Sequence, residues 1–279
     1  MILTVGATAH FGRETVEALA ATGAKVRALS RTPENAGLPA GVDVVRGDLT
    51  DAASLRRALD GVATIFLVLP YGMDPRALLA EAVDAGVGRV VFLSSGAVVD
   101  GADAQPDVIA AYHAGVERAA VASGLEWTFL RLLFPAVNTL SFAMQLKDSD
   151  VVRAPYAGAA ASVIHERDVA DAAAAVLTGD GHSGRIHDVT GPASLTQAEQ
   201  VRILGEVLGR LLVFEELDDA PVREQMSRFL DAPFVNALFD LMAATVGRPA
   251  QVNDTVEQLT GRPARTYAEW VADHRADFA

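Results

Sequence analysis

The stretch Thr4-Val5-Gly6-Ala7-Thr8-Ala9-His10-Phe11-Gly12 lies between a short apolar run, residues 2–5, and an amphipathic stretch, residues 11–21. A strand that turns on glycine straight into a helix is where backbone N–H groups and the positive end of the helix dipole converge on an anion. In this reading Gly6 permits the tight turn, the small Ala9 lets the backbone approach a pyrophosphate, and Gly12 lets the helix pack closely on the strand. Thr8, His10 and Phe11 complete the candidate phosphate loop. A glycine-rich turn alone is a weak signal. Its position after an N-terminal strand and at the head of a helix gives it weight.

The same alternation continues outward from the loop. Residues 26–29, 42–45, 64–69, 90–93 and 126–130 read as strands, and residues 52–59, 76–85 and 108–122 as helices. Apolar strands alternating with amphipathic helices predict an α/β fold, a Rossmann-type doubly wound parallel sheet covered on both faces. Past Phe134-Pro135 the period is lost over residues 138–156; residues 162–164 and the alanine-rich 169–177 then return to the sheet layer. Beyond Gly191-Pro192, helices are expected near 197–208, 221–230, 233–246, 252–259 and 267–277. The expected organisation is a dinucleotide-binding domain of residues 1–133 and 157–190. Residues 134–156 and 191–279 would form a smaller, mainly helical substrate-capping lobe.

Composition narrows the function. The 279 residues are 51% hydrophobic and carry 23 basic against 36 acidic side chains, a net charge of −13. An acidic surface repels phosphate backbones, so nucleic acid is not an expected partner. The lack of cysteine excludes disulfides, thiolate nucleophiles and zinc–thiolate sites, and fits a reducing cytoplasm. No apolar run reaches the roughly 18 residues of a membrane span, and the first residues have no basic region of a signal peptide. No metal is expected: His165-Glu166-Arg167-Asp168 is not the His-Glu-x-x-His motif, and His182, His187 and His274 have no partners at ligand spacing. A serine hydrolase is disfavoured, because no Gly-x-Ser-x-Gly elbow occurs.

The end of the second strand speaks to the cofactor. A site for NAD needs a carboxylate there for the ribose hydroxyls. The chain reads Ala28-Leu29-Ser30-Arg31-Thr32 instead, with no acid before Glu34. Arg31 suits a 2′-phosphate through a forked, charge-assisted contact, with Ser30 adding a hydroxyl and Arg13 a second cation. The expected cofactor is NADP(H). Leu69, Pro70, Ser94, Ser95 and Phe134 fall at or just past the ends of strands four, five and six, and are further candidate cofactor contacts.

These motifs resemble those of the NmrA-like group of atypical short-chain dehydrogenase/reductases. The group's signature is Gly-Ala-Thr-Gly-x-x-Gly, with Ala9 here in place of the middle glycine. Gly47-Asp48-Leu49, Ser94-Ser95, the run Ser123-Gly124-Leu125-Glu126-Trp127-Thr128 into Leu130-Arg131, Asp168-Val169-Ala170 and Gly191-Pro192 are similar to further landmarks, over roughly residues 1–195. The resemblance implies that Asp48 and Leu49 meet the adenine. Orthodox superfamily members use Tyr-x-x-x-Lys after strand five. Here Tyr112 is followed at that spacing by Val116, and the only lysines are Lys25 and Lys147. In the group's quinone and triphenylmethane reductases the same helix carries His-x-x-x-Glu. The resemblance therefore carries over to His113, with Glu117 four residues on and on the same helical face. His113 would donate to the nicotinamide ribose or to a substrate carbonyl, and Glu117 would orient it or raise its pKa. Tyr112 is the second catalytic candidate. The bland alternative is an ordinary helix histidine beside a solvated glutamate.

Tyr71, Phe134, Asn138, Phe142 and Tyr156 are candidate substrate contacts, largely apolar and aromatic. They suit a small, flat aromatic molecule. The leading expectation is an NADP(H)-dependent oxidoreductase passing hydride to a quinone-like or other aromatic carbonyl substrate, as monomer or homodimer. The alternatives are a non-catalytic NADP(H)-sensing regulator and a biosynthetic-pathway ketoreductase.

Overall fold

A computed structural model describes residues 1–279. The chain begins β1 (Ile2–Val5), α1 (His10–Ala21), β2 (Val26–Ser30), β3 (Asp43–Arg46), α2 (Ala52–Leu59), β4 (Thr64–Leu67), α3 (Arg76–Asp84), β5 (Arg89–Ser95), α4 (Val108–Ala122) and β6 (Glu126–Leu132). A 3-10 turn, Ala136–Phe142, and α5 (Ala143–Leu146) lead to β7 (Val151–Ala154), β8 (Ala160–Ala161), α6 (Glu166–Thr178) and β9 (Arg185–Asp188). Then come β10 (Leu195–Thr196), α7 (Gln197–Leu208), β11 (Val213–Glu216), α8 (Asp219–Met226), α9 (Ala232–Ala243), α10 (Thr255–Thr260), α11 (Tyr267–Asp273) and a final 3-10 turn, Arg275–Phe278.

The central sheet has seven strands in the order β3-β2-β1-β4-β5-β6-β9, every pair parallel. β1 and β4 are buried along their whole length, which is why they read as unbroken apolar runs rather than alternating ones. Residues such as Val91, Leu93 and Leu130 join α1 and α6 in one core, and their neighbours Val90, Phe92 and Phe129 join α2, α3 and α4 in another. The strand order reverses between β1 and β4. That reversal opens a crevice at the carboxyl edge of the sheet, where ligands of doubly wound folds bind.

One expectation needs correction here, and one strand forms where the sequence reading has none. Residues 185–188 form the seventh strand; Arg185-Ile186-His187-Asp188 has no apolar run because an edge strand is only half covered. Residues 162–164 do not join the main sheet. The short strand there is β8, which pairs antiparallel with β10, and Ile164 makes only an isolated bridge to Pro135. The part beyond the sheet also contains strands: β7 and β11 run parallel beside a third core built on Trp270, Val201 and Leu204. Val256 of α10 turns back into the core shared by α1 and α6.

Candidate functional site

The candidate phosphate loop is shaped by two close approaches. Gly6 has φ +76°, and a Cβ on it would lie 2.4 Å from the Val68 carbonyl oxygen. A Cβ on Gly12 would lie 2.1 Å from the Gly6 carbonyl oxygen, so only glycine lets α1 sit on the strand exit. α1 starts at His10 with Ala9 as its cap, no side chain capping it and no acid in its first turn. Its first N–H groups therefore face the exposed residues Thr8, Ala9 and His10, with Phe11 half-buried beside them. A loop of this shape with an uncapped helix end fits a dinucleotide diphosphate.

Arg31 follows β2, is exposed, and its guanidinium makes no hydrogen bond or ion pair within the chain. Glu34, the first acid after β2, is taken by Arg46 at 3.0 Å. Ser30 is buried, with its hydroxyl accepting from the Thr32 N–H at 3.1 Å. Arg13 donates to the carbonyls of Gly37 and Ala36 at 2.6 and 2.8 Å and holds the turn after β2. Asp48 closes the β3 exit. It accepts from the backbone and hydroxyl of Thr50, bonds that hold its carboxyl below the ordinary value. Leu49 beside it is half-buried.

Leu69 and Pro70 leave β4 across the crevice from the loop. Tyr112 reaches them: its hydroxyl donates to the carbonyl of Pro70 at 2.9 Å and approaches that of Met73 at 3.2 Å. Burial raises this phenol to about 12. Its proton is spent on the loop, so Tyr112 staples α4 to residues 70–73. Tyr71, 44% exposed, packs its ring against Tyr112 at 5.0 Å and against Phe234 of α9 at 4.8 Å.

His113 lies with its ring on Phe92 at 5.8 Å and against the edge of Tyr112. Its Nδ1 is buried without a partner. Burial lowers its pKa to about 4, against the pull of Glu117, so the imidazole is neutral near pH 7. Glu117 does not orient it, as the shared helical face suggested. The carboxylate instead accepts from Arg131, Nε at 2.9 Å and Nη2 at 2.7 Å, and from the Ser94 hydroxyl at 2.6 Å. Arg131 also grips Asp100 at 2.8 and 3.1 Å. Arg131 and Asp100 were not singled out as site residues; Arg131 could have been, as an arginine inside an otherwise apolar strand. Ser95 points to the opposite face, where its hydroxyl accepts from the Ala97 N–H.

The candidate substrate residues divide. Asn138 is exposed on the 3-10 turn, and Phe134 leads into that turn, half-buried. Phe134 and Phe142 both pack on the third core. The Tyr156 hydroxyl donates to Asp219 at 2.5 Å and accepts from Arg223 at 2.9 Å, and its φ of +62° fixes a bend in the cap. Phe142 and Tyr156 thus build the cap. The histidines also have partners that spacing did not reveal. His182 Nδ1 lies 3.2 Å from His187 Nε2, and His274 bonds Glu166 and Asp277.

The NmrA-like family model matches residues 1–264. The (4-alkanoyl-5-oxo-2,5-dihydrofuran-3-yl)methyl phosphate reductase of Streptomyces griseus is 42% identical over 283 residues, covering 100% of this chain and 99% of the relative. The NAD(P)H azoreductase of Xenophilus azovorans is 33% identical, again over 100% of this chain and 99% of that one. The NADPH-dependent quinone oxidoreductase QOR2 of Escherichia coli, solved with NADPH, has a TM-score of 0.81 at 26% identity, covering 98% of this chain and 99% of that one.

Proposed function

The chain belongs to the NmrA-like family and is an NADP(H)-dependent oxidoreductase; we propose that it passes hydride directly to a flat, conjugated, quinone-like acceptor. The observation that carries the substrate class is the buried, unpartnered ring of His113, which burial keeps neutral, with Tyr112 committed to the loop and no lysine nearby. A neutral imidazole donates a hydrogen bond but is a poor source of protons. An acceptor whose reduced form is a delocalised anion can take its proton from water afterwards; an isolated ketone cannot, and needs an acid in the transition state.

NADPH, when bound, supplies the hydride. Gly6–Gly12 and the head of α1 would hold its diphosphate, and Arg31 would meet its 2′-phosphate beyond β2. The other end of the crevice lies over β4 and β5, where His113 donates to the acceptor's oxygen or to the ribose. Residues 134–156 and 191–279 form the cap that excludes water, with Tyr71, Phe134 and Asn138 closest to the substrate. No helix is long and apolar enough to cross a membrane.

A second reading has its own support. The relative with 42% identity over its full length reduces an alkanoyl oxo-dihydrofuran phosphate. That substrate is also a conjugated acceptor, so the same site would serve a biosynthetic reductase of such a lactone. NADPH oxidation followed against a panel of quinones, an azo dye and an acyl butenolide phosphate tests both. Turnover with a quinone or azo dye supports the first reading, and turnover with the lactone alone supports the second. A protein that binds NADPH and oxidises it with none of them overturns both and leaves an NADP(H)-sensing regulator.

A further inference from the structure

Four residues distant in sequence meet behind the exit of β5. Ser94 lies near the end of that strand, Glu117 in α4, and Asp100 in the loop between them; Arg131 lies on β6 and is the register partner of Ser94. Ser94, Glu117 and Arg131 are 3%, 6% and 4% exposed. The Glu117 carboxylate takes both the fork of Arg131 and the Ser94 hydroxyl, and Arg131 is braced from the far side by Asp100. Packing alone does not call for this arrangement. Desolvating a carboxylate and a guanidinium is costly, and two apolar side chains would hold α4 on the sheet as well or better.

The effect on Ser94 is specific. Its proton is committed to Glu117, so to any second partner at the end of β5 its oxygen offers only lone pairs. A free hydroxyl would rotate and offer either role. Crevice geometry places the adenosine end of a dinucleotide beyond β2, at Arg31, and therefore the nicotinamide end over β4 and β5, beside Ser94. A nicotinamide carries a carboxamide with two N–H donors, the chemistry that a fixed acceptor recognises.

We infer that Glu117, clamped by Arg131, is a positioning residue that locks the Ser94 hydroxyl as a hydrogen-bond acceptor for the nicotinamide carboxamide. This rests on the reading of the chain as an NADP(H)-dependent enzyme. Glu117 touches neither substrate nor cofactor and acts through Ser94. Fixing the carboxamide fixes the rotation of the ring, and with it the line along which hydride leaves.

The test compares Ser94→Ala, Glu117→Gln and the double variant. Three quantities are read: the emission spectrum of bound NADPH, kcat against NADPH affinity with a quinone acceptor, and the isotope effect with NADPH deuterated at the transferring carbon. Each single variant should shift the emission, lower kcat about tenfold and raise the isotope effect, with NADPH affinity within about tenfold, the worth of one hydrogen bond. The double variant should be no worse than the singles, because both break one link. Effects that multiply in the double variant overturn the inference. So does a Ser94→Ala protein with wild-type emission and kcat. If Glu117→Gln fails to fold, Glu117→Asp, which keeps the charge for Arg131 but draws the carboxylate back from Ser94, takes its place, and wild-type emission and kcat in it overturn the inference. Emission shifts in the variants without turnover of any acceptor would uphold the Ser94–carboxamide contact and overturn the reductase reading. Failure of the wild type to bind NADPH would overturn both.

Discussion

Two residues give the sharpest tests of the cofactor and the chemistry. Arg31 was chosen from what is missing at the end of β2, and its guanidinium proves to be unpaired while Glu34 is bound by Arg46. Arg31→Ala should weaken NADPH binding about tenfold or more and leave NADH nearly unchanged, since a charge-assisted pair is lost only with the 2′-phosphate. Titrating both cofactors checks this; unchanged NADPH affinity, with NADH binding as tightly, would reject the assignment. His113 is the harder residue. It lies on α4 after β5, and its burial lowers it to about 4. His113→Ala should therefore lower kcat by about tenfold, the worth of one neutral hydrogen bond, and the wild-type pH profile should show no break near 6.5. A loss beyond about a hundredfold with a break near neutrality would make it a general acid instead. Tyr112 and Glu117 were read from spacing along one helix. Their actual partners, Pro70 and Arg131, come from other elements, which no spacing rule reaches.

At the level of elements, boundaries were legible where a side chain marks them. Asp107 caps α4 by accepting from the N–H groups of Ile109 and Ala110, so that helix starts where expected. Thr196 with Glu199 and Thr266 with Glu269 form reciprocal capping boxes at α7 and α11. Thr266→Ala should cost about 1 kcal/mol, read as a lower midpoint in thermal or urea unfolding; no change would mean that α11 is held by Trp270 alone. Helix ends without such marks were misplaced: α8 stops at Met226 and α9 at Ala243, both short of the expected length. The join of α1 to β1 gives a stronger test. Gly12→Val places two methyls where even a Cβ would meet the Gly6 carbonyl. NADPH binding should be lost. A folded Gly12→Val protein with wild-type affinity would show that the loop does not hold the cofactor.

Across the whole molecule, the last helix is tied to the start of α6 by a knot of charged groups. His274 stacks on Trp270 and bonds Glu166 and Asp277, while Trp270 donates to Glu166 at 2.8 Å. Burial opposes a charge on His274, but the bonds to Asp277 and Glu166 outweigh it and raise its pKa above the ordinary 6.5. A raised folded value means that the stabilisation is complete below the unfolded pKa and fades as pH rises through the folded one. His274→Gln should thus lower the thermal midpoint more at about pH 5.5 than at about pH 8.5. An equal loss at both would show that the ring acts by packing alone.

The chain's own order of residues was enough to specify the glycine turn from β1 into α1, the first six strands of the sheet, the lack of an acid at the end of β2 and the lack of a Tyr-x-x-x-Lys sequence. Each of these is local: a turn, a period or a residue type at a strand end, decided within one or two elements. Other features were settled only when distant segments came together. The edge strand β9 is stabilised by pairing with β6 rather than by its own apolarity. Phe142 and Tyr156 became cap-building residues through contacts with the third core and with α8. Glu117 was claimed by Arg131 rather than by His113, because a buried carboxylate is stabilised most by the nearest guanidinium with matching geometry, and that guanidinium lies on a neighbouring strand.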